Sequence, residues 1–386
     1  MGRVRTAAGR IAVLGGVFTL GFALSRPSDE QRAERMLAEQ VELLGQADAW
    51  RDSVEELRGY NPEWDFMRRT FLALALADDA LAHPERADAR LATIDGLLDD
   101  LVHEEERYGQ DYFLLPYVHA RPFRDPGGRS LFVDGEIALV AAARRLVRED
   151  EGAARIHRER VAEMEAQFQR SPAGLPESYP DEAWLFCVTN ALVAIRASDV
   201  LDGTDHQALI DGFLVDARRA LLEPETGMLG SSYTWDGRML DGPEGSTVWL
   251  VATNLLVLDE SLARDQYERA HDELGHSLLG FGWASEWGSG WRGPVDVDSG
   301  PIVPILDASP SSSGFAILAA HAFGDAHTAR QLSRSLAVAD VVVHLDPRLE
   351  ALADNPMGDV IVLHGLTFGP LWTRLGSEPR LTASNG

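Results

Sequence analysis

This chain has no lysine: every one of its 35 basic residues, in a length of 386, is arginine. The absence excludes a Schiff-base nucleophile, and with it pyridoxal-phosphate and class-I aldolase chemistry. It also excludes covalent biotin or lipoate, and the phosphate-cradling loop that needs a lysine. Cysteine is nearly absent as well. The lone Cys187 forms no internal disulfide and no cysteine-based zinc site. Cations are scarce beside 61 acidic residues, and the net charge is −26. Phosphate backbones are bound by clustered cations, so the composition argues against a nucleic-acid partner. There is no His-Glu-x-x-His, no Gly-x-Ser-x-Gly elbow and no dinucleotide fingerprint after a strand.

What is present begins with Arg3, Arg5 and Arg10 ahead of the apolar run Ile11 to Leu24. Basic residues followed by a short apolar stretch predict a secretory signal or signal-anchor over residues 1–28. The run is shorter than the roughly 20 residues of a full membrane span. No Ala-x-Ala site and no lipobox cysteine follow it, which favours an uncleaved or inefficiently cleaved anchor. The arginines then stay in the cytoplasm and residues 29–386 lie outside it.

The rest reads as helix almost throughout. Apolar residues recur at three-and-four spacing over 66–81, 87–102, 131–147, 154–168, 184–201, 209–222, 248–258, 267–281, 315–323, 329–339 and 360–372, with an amphipathic helix over 29–44. Only 339–345 has strand character. Short turns alternate with long polar, aromatic connections at 104–129, 171–181, 223–245 and 284–313. Helical hairpins with long loops at every second junction predict an all-α chain, folded as a single (α/α)6 barrel whose long loops build a pocket at one end. A superhelical repeat is the rival, but no sequence period supports it.

The candidate site residues sit where those loops meet helices. Cys187 lies one turn into an apolar helix whose mouth holds Glu177, Asp181, Glu182 and Trp184. A small buried hydrophobe is the plainer role for that cysteine. Asp134 and Glu136 lead into the wholly apolar IALVAAA; either they cap a helix, or a desolvated Glu136 with a raised pKa acts as an acid. Asn61 caps a helix, with Glu63 and Asp65 near its positive end and Trp64 unexplained beside them. Tyr233, Glu244 and Ser246 stand in the next polar loop. The segment after Gly282 carries Trp283, Trp287 and Trp291 with Glu286, Asp296 and Asp298. Aspartates two apart suggest a calcium loop, but the later ligands of an EF-hand are missing. Tryptophans beside acids suit a cleft that stacks on a ring or polyene and protonates it.

From about Leu131 to Ala270 the chain resembles the linalool dehydratase-isomerase family. The likeness rests on the order and spacing of the Gly135 helix, Pro180-Asp181 before Cys187, Gly203-Thr204-Asp205, the Leu222–Glu225 turn, and a Ser/Thr-Trp helix ending at Asp259 before Arg-Asp-Gln-Tyr267. The resemblance implies an (α/α)6 barrel and acid–base dehydration and isomerisation of an allylic alcohol without a cofactor. It also implies a cyclic homo-oligomer with sites near subunit contacts. Cys187 matches a cysteine that lines the family's pocket. The family's second cysteine is Ser178 here, its histidine after Gly135 is Glu136, and a tyrosine is replaced by Ser246. The combined expectation is a membrane-tethered enzyme acting on a small molecule. Glu136, Cys187 and Asp181 move protons, and Trp64, Asp134, Ser178, Glu182, Trp184, Tyr233, Glu244, Ser246, Trp287, Asp296 and Asp298 bind substrate. A glycan hydrolase, lyase or epimerase on the same barrel is the alternative, with paired acids across a groove. A non-catalytic envelope scaffold is the third reading.

Overall fold

The computed structural model describes residues 28–292, 302–303, 306–345 and 356–376. The signal-anchor expectation, apart from Ser28, and the expectations for Asp296 and Asp298 lie outside the described residues. Among those residues the chain is all-α, with fourteen α-helices and five short strands. No described helix is long and apolar enough to cross a membrane.

Six helices are buried nearly all round: α3 (Pro62–Ala82), α5 (Leu131–Val147), α7 (Leu185–Asp202), α9 (Gly245–Leu255), α11 (Pro310–Ala322) and α13 (Pro356–Thr367). Their sequences explain this, because a helix without a polar face gains only by being enclosed. Each packs on the next, α3 on α5, then α7, α9, α11 and α13, and α13 returns to α3. Two crossings are close enough to need glycine. A Cβ on Gly135 would stand 3.3 Å from the Ala191 nitrogen, and one on Gly365 3.0 Å from the Leu318 Cα.

The remaining long helices bury one stripe. α4 (Ala87–Tyr108) lies on α3 and α5, α6 (Glu151–Arg170) on α5 and α7, α10 (Glu260–Leu274) on α9, and α12 (Ala326–Leu345) on α11. α8 (Gln207–Ala220) turns Ile210, Phe213, Leu214 and Ala217 into the same core, the spacing of one helix face. α1 (Asp29–Gly45) packs on α13, and α2 (Ala47–Tyr60) on α3. α14 (Pro370–Leu375) closes on α3, where Asp78 accepts the Leu371 N–H at 2.8 Å.

Three expectations are corrected. The helix predicted over 267–281 ends at Leu274, where the chain turns into the hairpin β4 (Gly275–Leu278) and β5 (Phe281–Ala284); Gly280, at φ 86°, makes its tip. The strand character of 339–345 is overridden, and α12 runs through Leu345. The helix predicted over 360–372 breaks after Thr367, at Gly369 (φ 141°) and Pro370, which starts α14. A small sheet, β1 (Ala183–Trp184), β2 (Ser232–Tyr233) and β3 (Met239–Asp241), joins the loops leading into α7 and α9.

Candidate active site

The first turns of α3, α5, α7, α9 and α11 meet around a half-open cavity of about 120 Å³. That is close to the roughly 150 Å³ apolar cavity known to take up benzene, so the space fits one small ring or chain. Helix N-termini carry partial positive charge, which explains why acids gather here without a matching set of arginines. Glu63 of α3 and Glu244, the residue before α9, line the cavity together with Cys187 and Ser246. The walls are aromatic: Trp64, Tyr117, Phe132, Tyr179, Trp184, Phe186 and Phe315. Phe186 and Phe315 meet edge to face with centroids 5.8 Å apart.

Two of the lining residues, Tyr179 and Glu63, are tied to each other. The Tyr179 hydroxyl donates to Glu63 Oε1 at 2.5 Å and accepts the Leu115 N–H at 2.7 Å. Burial, then the neighbouring Glu63 carboxylate, raises the Tyr179 pKa, so the phenol keeps its proton. Tyr117 stacks on its ring at 4.5 Å and donates to Glu182 at 3.2 Å.

Cys187 is buried at the cavity wall. Burial pushes its thiol well above the usual range, and the nearby acids Glu63 and Glu136 push the same way. The Ser178 hydroxyl only partly offsets this. The group is therefore a thiol and not a thiolate.

Glu136 sits behind the wall rather than in it. Its carboxyl is 1 % exposed, and burial raises its pKa to about 7. Asn190 donates to Oε1 at 2.6 Å, and Asn254 donates to Asn190 at 2.6 Å, a polar ladder across α5, α7 and α9. Thr70 lies beside the carboxyl but commits its own hydrogen to the Met67 carbonyl at 3.2 Å. With that hydrogen committed, the Thr70 oxygen can accept from the carboxyl when it carries a proton.

Ser246 follows the first residue of α9. Its N–H and its hydroxyl both donate to Glu286 Oε1, at 2.9 and 2.6 Å, and Ser309 Oγ donates to Glu286 Oε2. Ser309 in turn caps α11 through the Ser312 N–H.

Of the residues expected from sequence, Trp64, Trp184, Cys187, Glu244 and Ser246 share the cavity. Ser178 stands just behind it, accepting the Trp184 N–H at 3.3 Å. The others serve elsewhere. Asp134 is wholly buried between Arg129 and Arg160, with Gln110 and Gln167 also donating to it. Tyr233 holds a turn, its hydroxyl donating to the Leu221 carbonyl and accepting the Gly230 N–H. Asp181, in the left-handed region at φ 60°, and Glu182 pair with Arg121 at the rim. Asp tolerates that conformation, and Glu177 accepts the Asp181 N–H. Trp287 stacks on Trp291 at 5.6 Å and bridges to Glu244 through the backbone, outside the cavity lining. Glu63 and Tyr179 were not singled out by sequence. Glu63 looks like an ordinary helix-start acid, and nothing local marks Tyr179. The only signal was Trp64, which capping did not explain.

Among the described residues no cluster of three or more His, Cys, Asp or Glu is placed to hold a metal ion. No protein-family model matches the chain, and none of the curated proteins matches it.

Proposed function

We propose that this protein is a cofactor-independent acid–base enzyme that dehydrates or isomerises a small alcohol, built on an (α/α)6 barrel. The barrel reading is supported by the closed order of contacts among six buried helices, each with an outer partner. The functional reading is carried by one observation: a carboxylate–phenol pair, Glu63–Tyr179, shares an aromatic-walled cavity with the protonated thiol of Cys187.

In this reading Glu136 holds a proton near neutral pH and supplies it through Cys187 to the hydroxyl of the substrate. The C–O bond breaks and water leaves. The faces of Trp64, Trp184 and Phe186 shield the resulting cation. Glu63 then removes a proton from the neighbouring carbon, and the C–H electrons form the double bond. Alcohol becomes alkene plus water; Glu63 then releases its proton to solvent and Glu136 takes one up, which closes the cycle with no other reagent. Return of water at the other allylic carbon is isomerisation. Asp181, held at the rim by Arg121 and Arg124, is replaced in this scheme by Glu63.

The test is incubation of the full-length protein with short allylic alcohols, with products read by gas chromatography. Alkene formation that is lost in Glu63→Gln supports the proposal. Absence of product across a series of chain lengths contradicts it. A second reading, chemistry on a single sugar ring, draws on Trp64 and Trp184 beside Glu63 and Glu244. Stabilisation by a monosaccharide and by no alcohol would favour it. Export and membrane tethering rest on the Arg3 to Leu24 pattern alone, and the homo-oligomer on the family resemblance.

A further inference from the structure

We propose that Ser246 reads the hydroxyl proton of the ligand, and that buried Glu286 is the positioning residue that makes it do so. The proposal rests on the cavity being the ligand site and adds which end of the ligand's hydroxyl is recognised. Glu286 is 1 % exposed. Its Oε1 receives both the N–H and the hydroxyl of Ser246, and its Oε2 receives the hydroxyl of Ser309. Both oxygens of Glu286 act as acceptors here, so the single hydrogen of Ser246 Oγ is committed to Glu286. Among the described residues no second group meets that oxygen. Ser246 lines the cavity, and with its hydrogen turned to Glu286 its hydroxyl oxygen has only lone pairs left to offer a ligand. Such a face takes an O–H donor and repels an oxygen or fluorine that brings only lone pairs.

Helix capping does not account for the arrangement. The Ser246 N–H, an orphan donor at the start of α9, needs an acceptor, and a carboxylate there is an ordinary cap. The hydroxyl is a second donor to the same oxygen, and capping alone leaves it free to turn to the cavity. Glu286 also fixes where the hydroxyl stands. It joins the start of α9 to Ser309, which caps α11, and the Gly245 N–H donates to the Glu286 carbonyl at 2.7 Å. A Cβ on Gly245 would lie 2.0 Å from Ser312 Oγ, so the junction admits no larger residue. Ser246 is therefore held on both its backbone and its side chain.

Cyclohexanol and cyclohexyl fluoride have nearly the same size and differ in the donor, and neither is allylic, so neither is consumed. Binding of each to the full-length protein is measured by calorimetric or NMR titration. The wild type should bind the alcohol about tenfold more tightly, the worth of one hydrogen bond. Ser246→Ala should stay folded, with a lowered melting temperature, and bind the two alike. Glu286→Gln, which retains an oxygen for Ser246, should keep the preference, and Glu286→Ala, which releases the hydroxyl, should lose most of it. Equal binding of both probes to the wild type, or a preference that survives Ser246→Ala, overturns the assignment of Ser246 while leaving the cavity as the ligand site. Binding of neither probe overturns the cavity reading and this assignment with it.

Discussion

Tyr179 and Glu63 stand 116 residues apart in the chain and share a 2.5 Å hydrogen bond, phenol to carboxylate. The bond ties the loop before α7 to the first turn of α3 and fixes two walls of the cavity at once. Removing the donor leaves a carboxylate oxygen without its charge-assisted partner, which costs about 1.5–3 kcal/mol. Tyr179→Phe is therefore expected to lower the unfolding free energy measured in urea by that amount. Turnover should fall more steeply than stability, because Glu63 is no longer aimed. Equal stability of mutant and wild type in urea would contradict the pair's role.

The pH dependence of stability follows from Glu136. Its folded pKa of about 7 stands above the ordinary 4.5. A raised carboxyl pKa means the folded state holds a proton that the unfolded state has released. Its stabilising effect is full below about 4.5, is lost as pH rises to about 7, and changes little beyond. The difference, 7 minus 4.5, corresponds to about 3 kcal/mol. Glu136→Gln keeps an oxygen for Asn190 and cannot ionise. It should gain stability over wild type at pH 8 and match it near pH 4.5. Urea melts at the two pH values check this. A difference that does not change with pH would count against a raised Glu136.

Cys187 should be sluggish. Burial and its acidic neighbours keep it protonated, and the thiol is the unreactive form. A chromogenic disulfide reagent at pH 7.5 should react with the native protein more than tenfold more slowly than with protein in urea. Equal rates would show an exposed or ionised thiol, and the proton-delivery role would fall with it.

Asp134 is the control for a residue that sequence placed at the site and the structure places in an ion-pair cluster. Replacing it with alanine leaves the Arg129 and Arg160 guanidiniums with Glu105 as their remaining acid partner, at a cost of about 3–5 kcal/mol. The expected result is a large fall in melting temperature, with the ligand affinity of the folded fraction unchanged. Lost affinity at full stability would return Asp134 to the site.

The helical character was legible because it rests on local spacing. Apolar residues all round α5 and α7 require enclosure, and the single stripe of α8 requires one covered face. Parts of the site were legible for a similar reason. Trp64, Trp184 and Cys187 lie within a turn of a helix start, where an apolar or aromatic residue beside acids has no capping role. What stayed hidden depends on contacts distant in sequence. Asp134 and Glu136 are neighbours with the same local signature, yet one meets two arginines and the other an asparagine of α7. Tyr179 gains its meaning only from Glu63, and Ser246 only from Glu286. The hairpin at 275–284 replaced a predicted helix because strand pairing, set by a glycine tip, outweighed the apolar spacing.

The most direct measurement is turnover of a short allylic alcohol by wild type, Glu63→Gln, Tyr179→Phe and Cys187→Ala, with product quantified by gas chromatography and folding checked by melting. The account predicts alkene from the wild type, and a loss of at least a hundredfold in Glu63→Gln and Cys187→Ala, the scale of general acid–base catalysis, with the folds intact. Undiminished product from Glu63→Gln and Cys187→Ala, or none from the wild type, would contradict it.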